Sequence, residues 1–365
     1  MRVLGVGKFY PPEYHGGLES VVASLNRELV CRGCAVSCVV SAVRGAGSVE
    51  DVDGVRVIRA RSLGTLLSQP LAPGFPAAVR REAADIVHLH HPNPLGDLAV
   101  LADARRPLVI SQHSDVVRQR ALWPLYGPLV RRAFARARFV VVASENYRGA
   151  SRELAGWGAK VRVIPYGIEA ARFERTPAVA DRAAALRAAW GDAPVVLAVG
   201  RLVGYKGFDV LLRAVTGLDA TAVIVGAGPE EARLRALAPA GTVFAGRVAD
   251  EDLPAYYHAC DVFCLPSRTI AEAFGVVLLE AMACGKPLVT SALPTGVTAV
   301  NREGVTGLTV PPDDAGALRE ALRALAGDAA RRGVMGEAGR RAVARDYTAA
   351  VMAERYLALY REAIG

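Results

Sequence analysis

The chain has 365 residues, 52% of them apolar and 22% charged, with a formal net charge of +8. That length exceeds one ordinary core of ~100–200 residues and suits two domains, while the apolar content excludes a disordered chain. The longest apolar stretches, such as residues 139–144 and 274–279, fall far short of the ~20 residues that cross a bilayer, and Met1–Gly7 reads as a strand rather than a secretory leader.

Short β-branched runs alternate with helical patterns along the chain. In the first half, strands are expected at Arg2–Val6, Ala35–Ser41, Val55–Ala60, Asp85–His90, Leu108–His113, Phe139–Ser144 and Val161–Pro165, with amphipathic helices at Leu18–Arg32 and Pro124–Arg136. In the second, strands are expected at Val195–Gly200, Ala222–Gly226, Thr242–Gly246, Val262–Pro266 and Leu288–Ser291, and Tyr347–Ile364 reads as a final amphipathic helix. Strands apolar on both faces and separated by helices imply parallel sheets covered on two sides. The fold class is therefore α/β, two doubly wound Rossmann-like domains, with the boundary after Ile164-Pro-Tyr-Gly167: residues 1–168 and 169–346. Such folds hold ligands in a cleft outside the carboxyl ends of their strands, which directs attention to the loops there.

Charge is unevenly shared. Residues 1–168 hold 22 Lys and Arg against 13 Asp and Glu, with clusters at Arg80/Arg81, Arg105/Arg106, Arg118/Arg120 and, along one helix, Arg131, Arg132, Arg136 and Arg138. That helix also carries Trp123, Leu125, Tyr126, Leu129, Val130 and Phe134, which suits either contact with an anionic membrane or a solvated basic face. A recognition helix or aromatic platform for nucleic acid is not found. Cys31, Cys34 and Cys38 lack a fourth ligand at zinc-finger spacing and read as small apolar fillers. With no need for disulfides, the chain reads as cytoplasmic.

Three segments carry chemistry. Gly16-Gly17 lies between the first strand and the first helix, where backbone can approach an anion at the helix N-terminus. Arg201 and Lys206, in Gly200-Arg-Leu-Val-Gly-Tyr-Lys-Gly207, follow the first strand of the second domain, where a guanidinium and an ammonium can hold a diphosphate. Glu272 and Glu280 flank a loop-to-helix junction at which Gly275 and Val276 present free amides. One carboxylate could take hydrogen bonds from a hexose and the other from a ribose. Asp51-Val-Asp53 imitates a metal-binding pair but reads as a solvated turn. Gly226-Ala-Gly-Pro229 is half of a dinucleotide fingerprint, its third glycine absent and Pro229 expected to open a helix, which argues against NAD. His88, His90 and His91 precede Pro92-Asn-Pro-Leu-Gly-Asp97; adjacent strand residues point to opposite faces, so they cannot all bind one ion, and a strand-end histidine could instead meet an acceptor.

These segments in this order, with Ser111-Gln-His-Ser-Asp115 between them, resemble the GT-B retaining glycosyltransferases of family 4 over nearly the whole chain. Further matching features are Val225-Gly-Ala-Gly-Pro229, Leu265-Pro-Ser267 and Gly304-Val-Thr-Gly-Leu-Thr-Val-Pro-Pro312. The resemblance implies a donor nucleotide sugar held mainly by the second domain, an acceptor held mainly by the first, and a final helix, residues 347–365, that crosses back to complete the first. It implies that Arg201 and Lys206 bind the donor diphosphate, that Glu280 holds the ribose and Glu272 the transferred sugar. Gly17 would give an amide to the β-phosphate, with Gly16 beside it in the donor set, and His113 would lie beside the hexose, its backbone carbonyl or ring helping to position the reacting carbon. Val248 and the Phe274-Gly275-Val276 turn join the donor set; His90, His91, Asp97 and Asp115 are acceptor-side candidates.

With two fixed cations and helix N-termini to stabilise the leaving diphosphate, no metal or other cofactor is expected. The His-rich segment, Ala283-Cys-Gly-Lys-Pro287 and Gly296–Asn301 are similar to bacterial polysaccharide mannosyltransferases, which points to GDP-mannose as donor. The expected acceptor is lipid-linked or a glycan, with peripheral contact at the inner face of the membrane. Alternatives are a UDP-hexose donor, a nucleotide-sugar epimerase and a non-catalytic sugar-nucleotide binder.

Overall fold

A computed structural model describes the chain except for His15, Leu67, Ser68, Ala104 and residues 117–122, so the Arg118/Arg120 pair lies outside the described residues. The chain divides into two compact units. Unit 1 comprises 1–144, 148–167 and 349–365; unit 2 comprises 145–147 and 168–348.

Unit 1 contains β1 (Arg2–Val6), β2 (Ala35–Ser41), β3 (Ser48–Val52), β4 (Val55–Ala60), a two-residue pair β5 (Thr65–Leu66) and β6 (Gln69–Pro70), then β7 (Ile86–His91), β8 (Leu108–Gln112), β9 (Phe139–Val142) and β10 (Val161–Val163). Eight of these form one sheet in the order β10-β9-β8-β7-β1-β2-β4-β3, parallel throughout except for β3 against β4. The order reverses direction at β1, between β7 and β2, which places the loop holding Gly16 and Gly17 at the switch point of a doubly wound sheet. Leu4, Val6, Val39, Leu89 and Ile110 are buried from both sides, as the continuous apolar runs require. The last helix, Ala349–Ile364, packs on the helix Gly17–Cys31 and belongs to this unit.

β3 has no counterpart among the expected strands. Ser-Val-Glu-Asp-Val sits mostly exposed at the sheet edge, so it lacks the apolar run that marks a buried strand. Asp53 (φ 55°) and Gly54 (φ 79°) form the two-residue turn to β4, and Asp51 lies within β3, its carboxylate accepting from the Gly54 amide at 2.9 Å. This Asp-Gly hairpin turn accounts for the Asp-x-Asp pattern in backbone terms.

Unit 2 holds β11 (Val195–Val199), β12 (Thr221–Val225), β13 (Val243–Gly246), β14 (Val262–Leu265), β15 (Leu288–Ser291) and β16 (Gly307–Val310), all parallel in the order β13-β12-β11-β14-β15-β16. Its core, built around Val196, Leu211, Ile224, Val262, Val289 and Leu322, is contiguous. The edge strand β16 was not expected from the sequence. It is four residues long and begins at Gly307, where an added Cβ would lie 2.0 Å from the Leu288 carbonyl oxygen, so close backbone approach takes the place of side-chain patterning. Pro229 does not open a helix. The helix runs Glu231–Leu237, because Gly226 (φ 134°) and Gly228 press against the carbonyls of Gly200 and Leu202 before the chain can turn.

Candidate functional site

In unit 2 the charged candidates gather at the carboxyl ends of β11 and β14. The chain leaves β11 through Gly200, and the Lys206 side chain folds back across that glycine, 3.6 Å separating its Nζ from where a Cβ would stand. Lys206 is buried, and its Nζ donates to Glu272 Oε2 at 2.6 Å. Burial works against its charge, but the adjacent Glu272 carboxylate outweighs it and holds the ammonium above its ordinary range. Ser267 donates to the same Glu272 oxygen at 2.9 Å. Arg201 is exposed and pairs with no carboxylate among the described residues. One cation is thus masked by a carboxylate and the other is open.

Glu280 lies a turn inside the helix Val276–Ala283, where its Oε2 accepts from the Tyr257 hydroxyl at 2.6 Å. Burial pushes its carboxyl up, and the Tyr257 bond partly offsets that. Gly275 caps the helix in the left-handed region (φ 80°) without a capping side chain, and its carbonyl accepts from the Leu278 amide at 2.9 Å. Phe274 is buried beneath, packed so tightly against Gly296 that a Cβ there would meet its ring at 2.4 Å. Val248 is half-buried in the loop after β13.

One residue absent from the sequence reading organises this site. Arg268 donates to Asp209 Oδ2 (2.7 Å), to Asp313 and to the Gly204 carbonyl (3.2 Å), and its amide donates to the Tyr205 carbonyl at 2.8 Å. Gly207 (φ 70°) abuts the Pro266 carbonyl so closely that a Cβ would fall 2.0 Å away. The turn carrying Lys206 and the loop carrying Glu272 are therefore laced together through Arg268. Its position directly after Leu-Pro-Ser was the available signal. Ser267, inside that motif, and Tyr257 are likewise positioning groups that spacing alone does not reveal.

In unit 1 the histidines form hydrogen-bonded chains. His113 Nδ1 meets the Tyr166 hydroxyl at 2.5 Å, and its Nε2 meets His90 Nδ1 at 3.0 Å, the two rings stacked. Both ring nitrogens of His113 are thus engaged within the unit, and its amide donates to the His91 carbonyl at 3.0 Å. His88 bonds Ser111 (2.7 Å) and Tyr360 (2.7 Å), and Ser111 bonds Tyr356 (2.8 Å), which fastens the final helix to β7 and β8. Burial, reinforced by neighbouring rings, holds His88 and His113 well below the usual imidazole range, and burial alone takes His90 to about 4. His91 points to the opposite face, as strand alternation requires. Its Nδ1 contacts Asp97 Oδ1 at 3.1 Å, and although burial opposes the charge, Asp97 and Glu153 raise it to about 9.

His91 and Asp97 are wholly enclosed, Asp97 also accepting from Tyr126, so neither presents surface to an acceptor here. Asp115 accepts from Ser151 Oγ (2.5 Å) and the Arg152 amide (3.1 Å). Gly16 caps the helix Gly17–Cys31 without a side-chain cap. The Glu19 carboxylate lies over it, 2.4 Å from an added Cβ. Burial depresses Lys8 and elevates Glu19, each opposed by the other's charge. On the basic helix Trp123–Arg136, Leu125, Arg131 and Arg132 are exposed, but Arg136 turns inward to the carbonyls of Asp103 and Arg106, and Arg138 lies beyond the helix end. No helix of the described residues is long and apolar enough to cross a membrane.

Comparison with known proteins accords with this arrangement. Residues 187–342 match the family described as Glycosyl transferases group 1, and residues 15–172 match Glycosyltransferase Family 4. The O-antigen chain mannosyltransferase C of Escherichia coli is 34% identical over 99% of this chain and 98% of its own. A D-rhamnosyltransferase of Pseudomonas aeruginosa is 37% identical over 88% of this chain and 86% of its own. Among solved structures, sucrose-phosphate synthase from Thermosynechococcus elongatus superposes with a TM-score of 0.84 over 99% of both chains at 24% identity, a likeness of fold. A motif set spanning both units, two family matches and relatives aligned end to end lead to one conclusion: this chain belongs to the GT-B glycosyltransferases of family 4, group 1, and is a glycosyltransferase.

Proposed function

We propose that the chain transfers mannose from GDP-mannose, with retention, to a lipid-linked or polysaccharide acceptor in cell-envelope or exopolysaccharide synthesis at the cytoplasmic face of the membrane. The observation that carries the donor side is the buried Lys206–Glu272 pair beside exposed Arg201. A buried ammonium held by a single carboxylate is primed to take a diphosphate, which frees Glu272 for the sugar hydroxyls. The relatives' names support mannose: several are mannosyltransferases, four of them described as GDP-mannose-dependent phosphatidylinositol monomannoside mannosyltransferases.

In this reading the bond from the anomeric carbon to the departing diphosphate oxygen breaks, and the acceptor oxygen bonds to the same face of that carbon. The acceptor proton passes to the leaving phosphate. Lys206, Arg201 and the amides at Gly16–Gly17 and Gly275–Val276 neutralise the charge that develops, so no metal enters the step. Glu280, oriented by Tyr257, holds the ribose; Val248 and Phe274 border the nucleotide; the His113 backbone carbonyl positions the hexose. A thermal-shift panel of GDP-mannose, UDP-glucose, UDP-galactose and ADP-glucose tests the donor. At ~100 times Kd the preferred donor adds ~2.7 kcal/mol of stability. A response to a UDP-sugar with none to GDP-mannose would transfer the assignment to that donor, and turnover of donor to an isomer without acceptor would mark an epimerase.

A further inference from the structure

We infer that Arg44 and Arg61 form an anion site in unit 1 that takes the phosphate or diphosphate of an amphiphilic acceptor; this rests on the proposed lipid-linked acceptor and gives it an address. The segments leaving β2 and β4 run side by side. Gly45 donates to the Ser62 carbonyl at 2.8 Å and Ser62 donates to the Gly45 carbonyl at 3.0 Å. Arg44 and Arg61, adjacent to this bridge, line one open recess of about 410 Å³ together with Gly47, Ser62 and Leu63. Gly45 lies at φ 96°, a conformation that residues with a Cβ rarely adopt, and at Gly47 a Cβ would fall 2.5 Å from the Arg59 carbonyl, so glycine leaves the backbone bare at both positions.

The charge in the recess is uncompensated. A neighbouring recess, which shares Ala46, shows the contrast: there Arg59 is buried and matched by Glu50 (2.6 Å), Glu13 (3.3 Å) and the carbonyls of Tyr10 and Pro11. Arg44 and Arg61 are exposed, with no acidic residue lining their recess and no ion pair among the described residues. Two guanidiniums on clipped backbone present forks suited to a phosphoryl group.

What lies beside them is apolar. Leu63, Leu66 and Leu71 are 63%, 60% and 43% exposed, grouped on one hairpin by the Leu63 amide donating to the Leu71 carbonyl and the Leu71 amide to the Gly64 carbonyl, both at 2.8 Å. Three exposed leucines next to two unpaired cations match an anionic head with a hydrocarbon tail rather than a free phosphate or a neutral glycan. The recess lies at the carboxyl edge of the unit 1 sheet, where β7 and β8 also deliver His90 and His113.

Binding of the full chain to farnesyl diphosphate, to inorganic pyrophosphate, and to phosphatidylcholine vesicles with and without phosphatidylglycerol tests this, using R44Q/R61Q and L63S/L66S/L71S. Each variant is expected to weaken farnesyl diphosphate binding about tenfold or more, with pyrophosphate bound far less tightly than the prenyl compound. Equal binding by wild type and R44Q/R61Q overturns the site, as does loss of farnesyl diphosphate binding in K206A alone, which would place that diphosphate in the donor site. Binding to phosphatidylglycerol vesicles that depends on the arginines, with farnesyl diphosphate unaffected, would overturn the acceptor assignment in favour of a membrane surface. The GDP-mannose thermal shift, read in parallel, separates failure of this site from failure of the donor reading.

Discussion

Unit 1 and unit 2 share a doubly wound sheet but treat most of the polar groups at its carboxyl edge differently. Unit 2 sets charge against charge, Lys206 on Glu272 and Arg268 between Asp209 and Asp313, with Arg201 left open. Unit 1 buries neutral imidazoles and hydroxyls in hydrogen-bonded chains, Tyr166–His113–His90 and Tyr360–His88–Ser111–Tyr356. The difference follows from what each edge must do. If unit 2 holds the diphosphate leaving group, as proposed, its site needs mobile compensation of charge, which cations with exchangeable partners supply. An edge that fixes the final helix and orients backbone gains more from directional bonds that carry no net charge.

The largest expected effect breaks the charged side. Lys206→Ala removes the buried ammonium and strands Glu272, so kcat/KM with the preferred donor should fall about 10²–10³-fold while far-ultraviolet circular dichroism is unchanged. Turnover at the wild-type level would dissolve the contrast between the units, because the pair would then be structural. Arg268→Ala sharpens it. With the turn at 204–207 no longer tied to the loop at 266–272, Lys206 and Glu272 should drift by a fraction of an ångström, costing about 10–100-fold in kcat with a smaller change in donor KM. Arg268→Lys should recover little of this, since a point charge cannot serve Asp209, Asp313 and a carbonyl together. Tyr257→Phe is smaller still. Loss of one hydrogen bond to Glu280 should raise the donor KM roughly 3–10-fold and leave kcat nearly intact, the split expected of a ribose contact.

These contrasts were only partly legible beforehand. The limits of β1, β2, β4 and β15 could be read from their apolar runs, because strands buried on both faces show little else. Gly275 and Val276 at a helix start followed from residue type and position. What pairs with what did not. That Lys206 closes on Glu272 depends on Gly207 tucking under Pro266, a contact across 59 residues with no local pattern. That both nitrogens of the His113 ring are engaged within unit 1 was equally hidden, because Tyr166, whose hydroxyl meets Nδ1, lies 53 residues along the chain. The same blindness to partners hid the enclosure of His91 and Asp97, six residues apart and joined through a turn at Pro92. Edge strand β3 escaped because exposed strands lack the apolar signature, although Asp53-Gly54 carried the turn in plain view.

The smallest effect is on stability, and it probes the neutral side. His88, His90 and His113 have depressed imidazoles in the folded state, so below about pH 6.5 the unfolded chain binds more protons and stability falls as pH drops toward 4. His91 behaves inversely. Raised to about 9 by Asp97 and Glu153 against the cost of burial, it contributes fully below about pH 6.5, and that contribution fades as pH rises through 9. Unit 1 should therefore be most stable near pH 6.5, with slopes on both sides, and amide exchange in β7 and β8 measured from pH 5 to 9.5 would trace them. His91→Gln should flatten the alkaline slope and leave the acid one, because it removes the one imidazole of the four that is charged in the folded state at neutral pH. An alkaline slope that survives the substitution would mean that it arises from a group other than His91 and that the Asp97 pairing contributes nothing to it.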